Sequence, residues 1–437
     1  MAGSIPSVFQ LIPQVQSYDW GKIGSQSKVA QFASHSKDFS LDESKPYAEL
    51  WMGAHPNLPS KLSSNSQSLS DLINSDPSKW LGHSISVKFK NQLPFLFKVL
   101  SIQKALSIQA HPDLDLAIKL HQNHPKIYKD PNHKPEMAIA ITPFSGFCGF
   151  RPLNQISNYL NQVPELADLI GHETVNRFLN SIPINSTDPS IISSINPNQS
   201  NLKHHQALLK ELFSKLMNAP DQSVIDQVTK LIKRIQSNGG RQKEFGTDEE
   251  LLLRLNEQFP NDIGIFCTFL LNVIHLQPGQ AAFLQADEPH AYLTGDIIEC
   301  MAASDNVVRA GLTPKLRDVS TLTEMLTYSY GPSESQLMKP QLFKSCKYTT
   351  LYDPPIQEFS VLLTNLSPNQ QDKHPPINGP SILIVTHGFG SILVCEDDQE
   401  IITEHEGQIY FIAPQKSIKL IAKENNGFII YRAFVEA

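Results

Sequence analysis

The sequence predicts a mainly β protein: two β units, with an α-helical insertion within the first. Three observations carry that prediction. Short apolar or alternating runs bounded by turn residues fill 7–152 and return after 259. Between them, in 153–258, apolar residues recur at three- and four-residue spacing, the mark of amphipathic helices. From about 320 onward short strands recur with turn signals between them, which suits a small antiparallel barrel or sandwich. The expected organisation is 1–152 with 259–320 as one domain, 153–258 as the insertion and 321–437 as the last domain. A chain of 437 residues exceeds one simple core, so several domains are expected.

Taken in order, the first β segments include Y-D-W-G at Tyr18–Gly21 and Y-A-E-L-W-M-G at Tyr47–Gly53, and Trp20 and Trp51 are expected in the core. Phe95–Leu100 is almost wholly apolar and reads as a buried strand, interrupted by Lys98, which needs a partner or an opening to water. L-S-I-Q-A-H-P-D at Leu106–Asp113 alternates cleanly, with Ser107, Gln109 and His111 on one face. Asp113 is placed to cap a helix over Leu114–Gln122. In K-P-E-M-A-I-A-I, Lys134, Glu136, Ala138 and Ala140 share a face, and the small residues leave room beside the charged pair.

Within the insertion, helices are expected over Leu202–Met217, Ser223–Gln236 and Thr247–Leu255, with a long loop at Asn180–Asn201 and a break at Gly239-Gly240. His204 and His205 are adjacent on a helix and diverge by nearly 100°, which argues against a shared metal. β texture is expected over Gly264–Leu276. It continues through Q-A-D-E-P-H-A-Y-L-T-G-D, where His290 and Tyr292 share a face, then Ile297–Met301, and Ser304–Ala310, where Asp305, Val307 and Arg309 alternate together. Four strands are read in the last domain, at Ile382–Thr386, Ser391–Val394, Gln408–Ile412 and Gly427–Ala433.

Composition excludes several classes. A net charge of −7 without a run of like charges argues against a nucleic-acid partner and against anchoring to an acidic membrane. Five scattered cysteines with no C-x-x-C read as reduced thiols. The first ten residues lack a basic and apolar leader pattern, and no 18-residue apolar run occurs, so a soluble cytoplasmic protein is expected.

Gln109 with His111, Glu136 and His290 offer nitrogen and oxygen donors on faces kept open by small residues. Two imidazoles and one carboxylate suit a divalent first-row metal such as zinc. With a neutral amide as fourth ligand the site keeps a net positive charge and can act as a Lewis acid. The same residues also fit a polar core satisfied by internal hydrogen bonds.

S-I-Q-A-H-P-D (Ser107–Asp113), H-K-P-E-M (His133–Met137), F-x-G-F-C-G-F-R (Phe144–Arg151), E-P-H-A-Y (Glu288–Tyr292) and D-N-V-V-R-A-G-L-T-P-K (Asp305–Lys315) together resemble the type I mannose-6-phosphate isomerase family. The helical insertion is similar to its eukaryotic, fungal form. The resemblance implies two cupin-type (jelly-roll) barrels, one catalytic, and one Zn2+ per chain on Gln109, His111, Glu136 and His290. It also implies that Arg309 is an active-site arginine. The implied reaction interconverts mannose 6-phosphate and fructose 6-phosphate, the entry to GDP-mannose and protein glycosylation. A monomer is expected.

For that chemistry a base must take the C2 proton. Lys134 is one candidate, since a nearby dication and partial desolvation both favour the neutral amine a base requires. Glu299 competes with it. Asp305 and His133 are candidates for ring opening or for orienting the base. Ser107, with Lys98 supplying charge, is a candidate for the phosphate, and Tyr292 for substrate contact. A non-haem iron oxygenase and a sugar-binding protein with a structural metal are the alternatives from other classes.

Overall fold

The computed structural model describes residues 5–184, 186–194, 201–237, 247–424 and 426–436. Its organising element is the long strand His290–Ala302, central to a ten-stranded sheet. Along one edge it pairs antiparallel with Phe95–Ile102, setting Glu299 opposite Lys98. Across from that strand it pairs with Glu136–Ala140, and at His290 it is flanked by Phe144–Phe150 on one edge and Ile108–Ala110 on the other. Four chain-distant strands therefore meet on one ribbon.

That ribbon is not regular. Its register against Phe144–Phe150 shifts between Tyr292 and Thr294, and Gly295 follows with φ +117°. A Cβ on Gly295 would sit 2.7 Å from the Pro143 carbonyl oxygen, so only glycine lets the bulge close this tightly. The consequence is a change of parity. Tyr292 and Glu299 are seven residues apart and would lie on opposite faces of a regular strand, yet the Tyr292 hydroxyl donates to Glu299 Oε1 at 3.0 Å.

The second sheet has eight strands. Four run from Gln341–Leu342 to Phe428–Phe434, Ser381–Gly388 is fifth and Ile409–Ile412 sixth; the first strand of the chain, Val8–Ile12, then pairs with Ile409–Ile412, and Lys61–Leu62 adds the edge. Residues from the start of the chain are thus hydrogen-bonded into the sheet of its end. A four-stranded sheet, including Gln371–His374 and Gly390–Val394, faces it across Ile392, Val394, Leu420 and Phe428.

The insertion is helical as the periodicity requires. In Asp221–Ser237 the buried residues are Val224, Val228, Leu231, Ile232 and Ile235, one stripe at helical spacing. Helix Leu202–Met217 buries Leu208, Leu209, Leu212, Phe213 and Leu216 likewise, and all pack in one cluster with Ile108, Ala110, Leu293 and Val308 behind the site. Asp113 caps Leu114–Asn123 by accepting from the Leu116 N–H at 2.8 Å, as the sequence predicts.

Three local expectations are corrected. Gly264–Cys267 is a short helix, and the strand begins only at Leu271. The Asp262 carboxylate accepts from the Gly264, Leu312 and Thr313 N–H groups, and this clamp turns the chain there instead of extending it. In Ser304–Ala310 only the end is strand, Val308–Gly311. The loop read over Asn180–Asn201 contains a helical turn, Pro189–Ile192, capped by Asp188, while 185 and 195–200 lie outside the described residues, as does the Gly239-Gly240 break. Among the described residues no helix is long and apolar enough to cross a membrane, and all five cysteines are free.

Candidate active site and metal centre

Strand pairing assembles the donors. Gln109 is opposite His290 on one side and Arg309 on the other, so the three residues form a row across adjacent strands. Glu136 begins the next strand of the chain and lies opposite Met301 of the ribbon. His111, Glu136 and His290 are all buried, and each offers one ligand atom within 4.8 Å of the other two.

The orientation of each ring is set from behind. His111 Nδ1 donates to the Asn306 carbonyl at 2.6 Å and His290 Nδ1 to the Glu288 carbonyl at 3.1 Å, which leaves both Nε2 lone pairs facing inward. Burial pushes the His111 imidazole down to about 4, so it is neutral, the form that ligates. Both Nε2 atoms are buried without a hydrogen-bond partner. They lie 3.3 Å and 3.5 Å from the two oxygens of Glu136. Donors at the corners of a tetrahedron with metal bonds of about 2.0–2.1 Å are roughly 3.3–3.4 Å apart. Orphaned lone pairs at that spacing fit a small dication. Burial opposes ionisation of Glu136, but the Lys134 ammonium at 2.8 Å together with the His111 and His290 rings outweighs it and holds the carboxyl well below its usual range.

Beside this centre is a cavity of ≈ 400 Å³ lined by Gln109, Lys134, Glu136, Glu299 and Arg309. Ser107 and Tyr292 line it too, with the Ser107 hydroxyl 3.5 Å from Gln109 Oε1. A row of polar groups runs along its floor. Lys98 Nζ lies 3.0 Å from Glu299 and 3.5 Å from Glu49, and the Tyr292 hydroxyl is 3.0 Å from Glu299 and 3.4 Å from Glu136. Burial disfavours the Lys98 ammonium, yet the Glu299 and Glu49 carboxylates more than compensate and raise its pKa. Burial likewise raises Glu299, and Lys98 only partly offsets it.

Of the remaining candidates, His133 and Asp305 are absent from the cavity wall. His133 Nε2 is 2.6 Å from Glu358 Oε1, and Asp305 is exposed, its N–H bonded to Asp130. Arg309 is half-buried and forms no ion pair among the described residues. Lys98, read as a source of phosphate charge, is matched by two carboxylates in place. Trp20 and Trp51, expected in the core, line the cavity. Glu49 does too and was not singled out, although its alternation with Trp51 in E-L-W placed both on one face.

Comparison with known proteins agrees with this geometry. Models of phosphomannose isomerase type I match as catalytic domain over residues 8–153, helical insertion domain over 169–271 and C-terminal domain over 350–396. A mannose-6-phosphate isomerase of Candida albicans is 50% identical, covering 99% of this chain and 100% of that protein. The chain belongs to the type I phosphomannose isomerase family. A mannose-6-phosphate isomerase of Saccharomyces cerevisiae is 48% identical over 98% of the chain and 99% of its own. Among solved members of the family, a mannose 6-phosphate isomerase bound with zinc and yttrium superposes with TM-score 0.78 at 29% identity, covering 99% of this chain and all of the other. A mutant phosphomannose isomerase from Salmonella typhimurium superposes equally well, with TM-score 0.78 and the same coverage. The chain is thus an isomerase of this family, mostly sheet with a helical insertion domain.

Proposed function

We propose that the protein interconverts mannose 6-phosphate and fructose 6-phosphate, with one zinc ion held by Gln109, His111, Glu136 and His290. The observation that carries the reading is the pair of buried, unpartnered Nε2 atoms facing Glu136 beside a sugar-sized cavity. Bound there, zinc supplies Lewis acidity that polarises the substrate carbonyl. The two β units are read as cupin barrels, and the enzyme as a cytoplasmic monomer at the entry to GDP-mannose synthesis and glycosylation.

The chain's own residues divide the remaining work. Isomerisation moves a proton between C2 and C1 through an enediolate, so it needs a base, a donor for the developing oxygen charge and a grip on the phosphate. Glu299 is assigned as base: Lys98 at 3.0 Å favours its ionised form, while burial strengthens its basicity. Lys134, beside the Glu136 carboxylate, is assigned as a donor to the substrate oxygens. Arg309 faces the developing negative charge with a fixed positive one. Ser107 and the exposed Lys315, which also lines the cavity and has no carboxylate partner among the described residues, are assigned to the phosphate. Tyr292 orients Glu299 and meets the sugar, and His133 and Asp305 support the wall from outside.

Two experiments test this. As-purified protein should turn over mannose 6-phosphate, lose that activity on chelation and regain it with zinc; a folded, metal-loaded protein without turnover defeats the reading. Since the base acts ionised and burial raises its pKa, activity should fall with acidity at a pH above the ordinary carboxylate range. Glu299→Gln should then lower kcat on the order of 10²- to 10⁴-fold, while Lys134→Arg, which keeps a charged donor, should retain far more. The opposite ranking transfers the base role to Lys134.

A further inference from the structure

We propose that the C-terminal part of the chain supplies a positioning residue to the active site: Glu358 holds His133 and, through it, the loop that delivers Lys134. Glu358 lies 225 residues further along the chain, yet its Oε1 is 2.6 Å from His133 Nε2. That is the only side-chain hydrogen bond recorded for the His133 ring among the described residues. The contact is sheltered, with 21% of the His133 side chain and 14% of the Glu358 side chain exposed. Burial alone would push the Glu358 carboxyl up, but the His133 contact together with the Gln357 and Glu358 backbone N–H groups outweighs it and holds the carboxyl below its usual range. An ionised acceptor makes Nε2 the donor, a charge-assisted geometry with little freedom.

The same strand is held at its other end and along its back. The Tyr352 hydroxyl donates to the Gly279 carbonyl at 2.5 Å, and the Gly279 N–H donates to the Ala140 carbonyl at 2.9 Å. Between the two ends Met137 and Ile139, the residues of Glu136–Ala140 that face away from the metal centre, pack in one apolar cluster with Tyr352, Phe359 and Val361. His133 immediately precedes Lys134, whose Nζ reaches Glu136 and the cavity. The loop's earlier arm is tied separately, by the Asn306 amide donating to the Asp130 and Asn132 carbonyls at 2.7 Å and 2.9 Å. Glu358 therefore fixes the last free step of the chain before the catalytic lysine. Reacting groups tolerate little displacement, and a misplacement of about 1 Å costs on the order of 10²-fold in rate. The role in turnover rests on the isomerase reading; the tether itself does not.

The test uses the full-length, zinc-loaded protein. Glu358→Ala should lower kcat about tenfold or more with KM changed less than about twofold, at unchanged zinc content and melting temperature. Glu358→Gln, which keeps an acceptor for the His133 N–H, should recover most of that loss. In a His133→Ala background, Glu358→Ala should cost nothing further, because the two act as one unit. Amide hydrogen exchange over 130–135 should quicken in Glu358→Ala. The proposal is overturned by a kcat within about twofold of the parent, by a loss that tracks zinc content or melting temperature, by additive effects in the double variant, or by unchanged exchange. Absence of turnover in the unsubstituted protein would strike the isomerase reading, and the exchange measurement would still decide the tether.

Discussion

Arg309→Ala is expected to lower kcat on the order of 10²- to 10³-fold while zinc content stays at the parent level. The guanidinium is half-buried in the cavity wall, one strand from Gln109, and no carboxylate neutralises it among the described residues. A cation kept unpaired at that cost to solvation is the reason to expect its partner in the substrate or the transition state. Burial lowers its pKa without bringing a guanidinium near neutrality, so it serves as a fixed charge and not as a proton donor. Arg309→Lys should recover only part of the activity, since an ammonium lacks the planar fork of donors. Steady-state kinetics with metal analysis of the same samples checks this; full activity in Arg309→Ala removes the residue from the mechanism.

His290→Ala is expected to weaken zinc binding by more than about 100-fold, since even partners behind a ligand contribute up to roughly that factor. Turnover should fall with occupancy and return in part under excess zinc. The imidazole is buried, its Nδ1 is anchored to the Glu288 carbonyl, and its Nε2 has no hydrogen-bond partner to lose. The fold should persist, because the backbone pairing of His290 with Gln109 and Cys148 does not use the ring. Metal content after dialysis is the measurement. Parental occupancy in His290→Ala takes it out of the ligand set, and the same loss in His111→Ala would support the pair.

Much of the site was legible because a strand alternates with a period of two. S-I-Q-A-H placed Ser107, Gln109 and His111 together, and K-P-E placed Lys134 beside Glu136, as the 2.8 Å contact between their side chains bears out. The helices of the insertion were legible for the same kind of reason, their buried stripes following the 3.6-residue period. Tyr292 and Glu299 were both candidates, but their contact was not legible, because a regular strand separates positions seven apart onto opposite faces. The bulge before Gly295 reverses that, and a bulge depends on what the partner strand can accommodate. Trp20 and Trp51 were misplaced for a related reason: size predicts burial, but not whether the buried face meets a core or a cavity.

The sequence by itself determined the local elements and the sheet-plus-helical-insertion class, and it offered Gln109, His111, Glu136 and His290 as candidate donors. These follow from periodicity, capping and residue type, which act over a few residues. Only the tertiary structure decided that Lys98 is shared by Glu49 and Glu299, that Val8–Ile12 joins the sheet of the chain's end, and that Glu358 reaches His133. Each of these is a pairing between residues tens to hundreds of positions apart. The charge a buried lysine offers a ligand, or the rigidity of a loop, depends on which distant strand packs against it, and no local pattern encodes that choice.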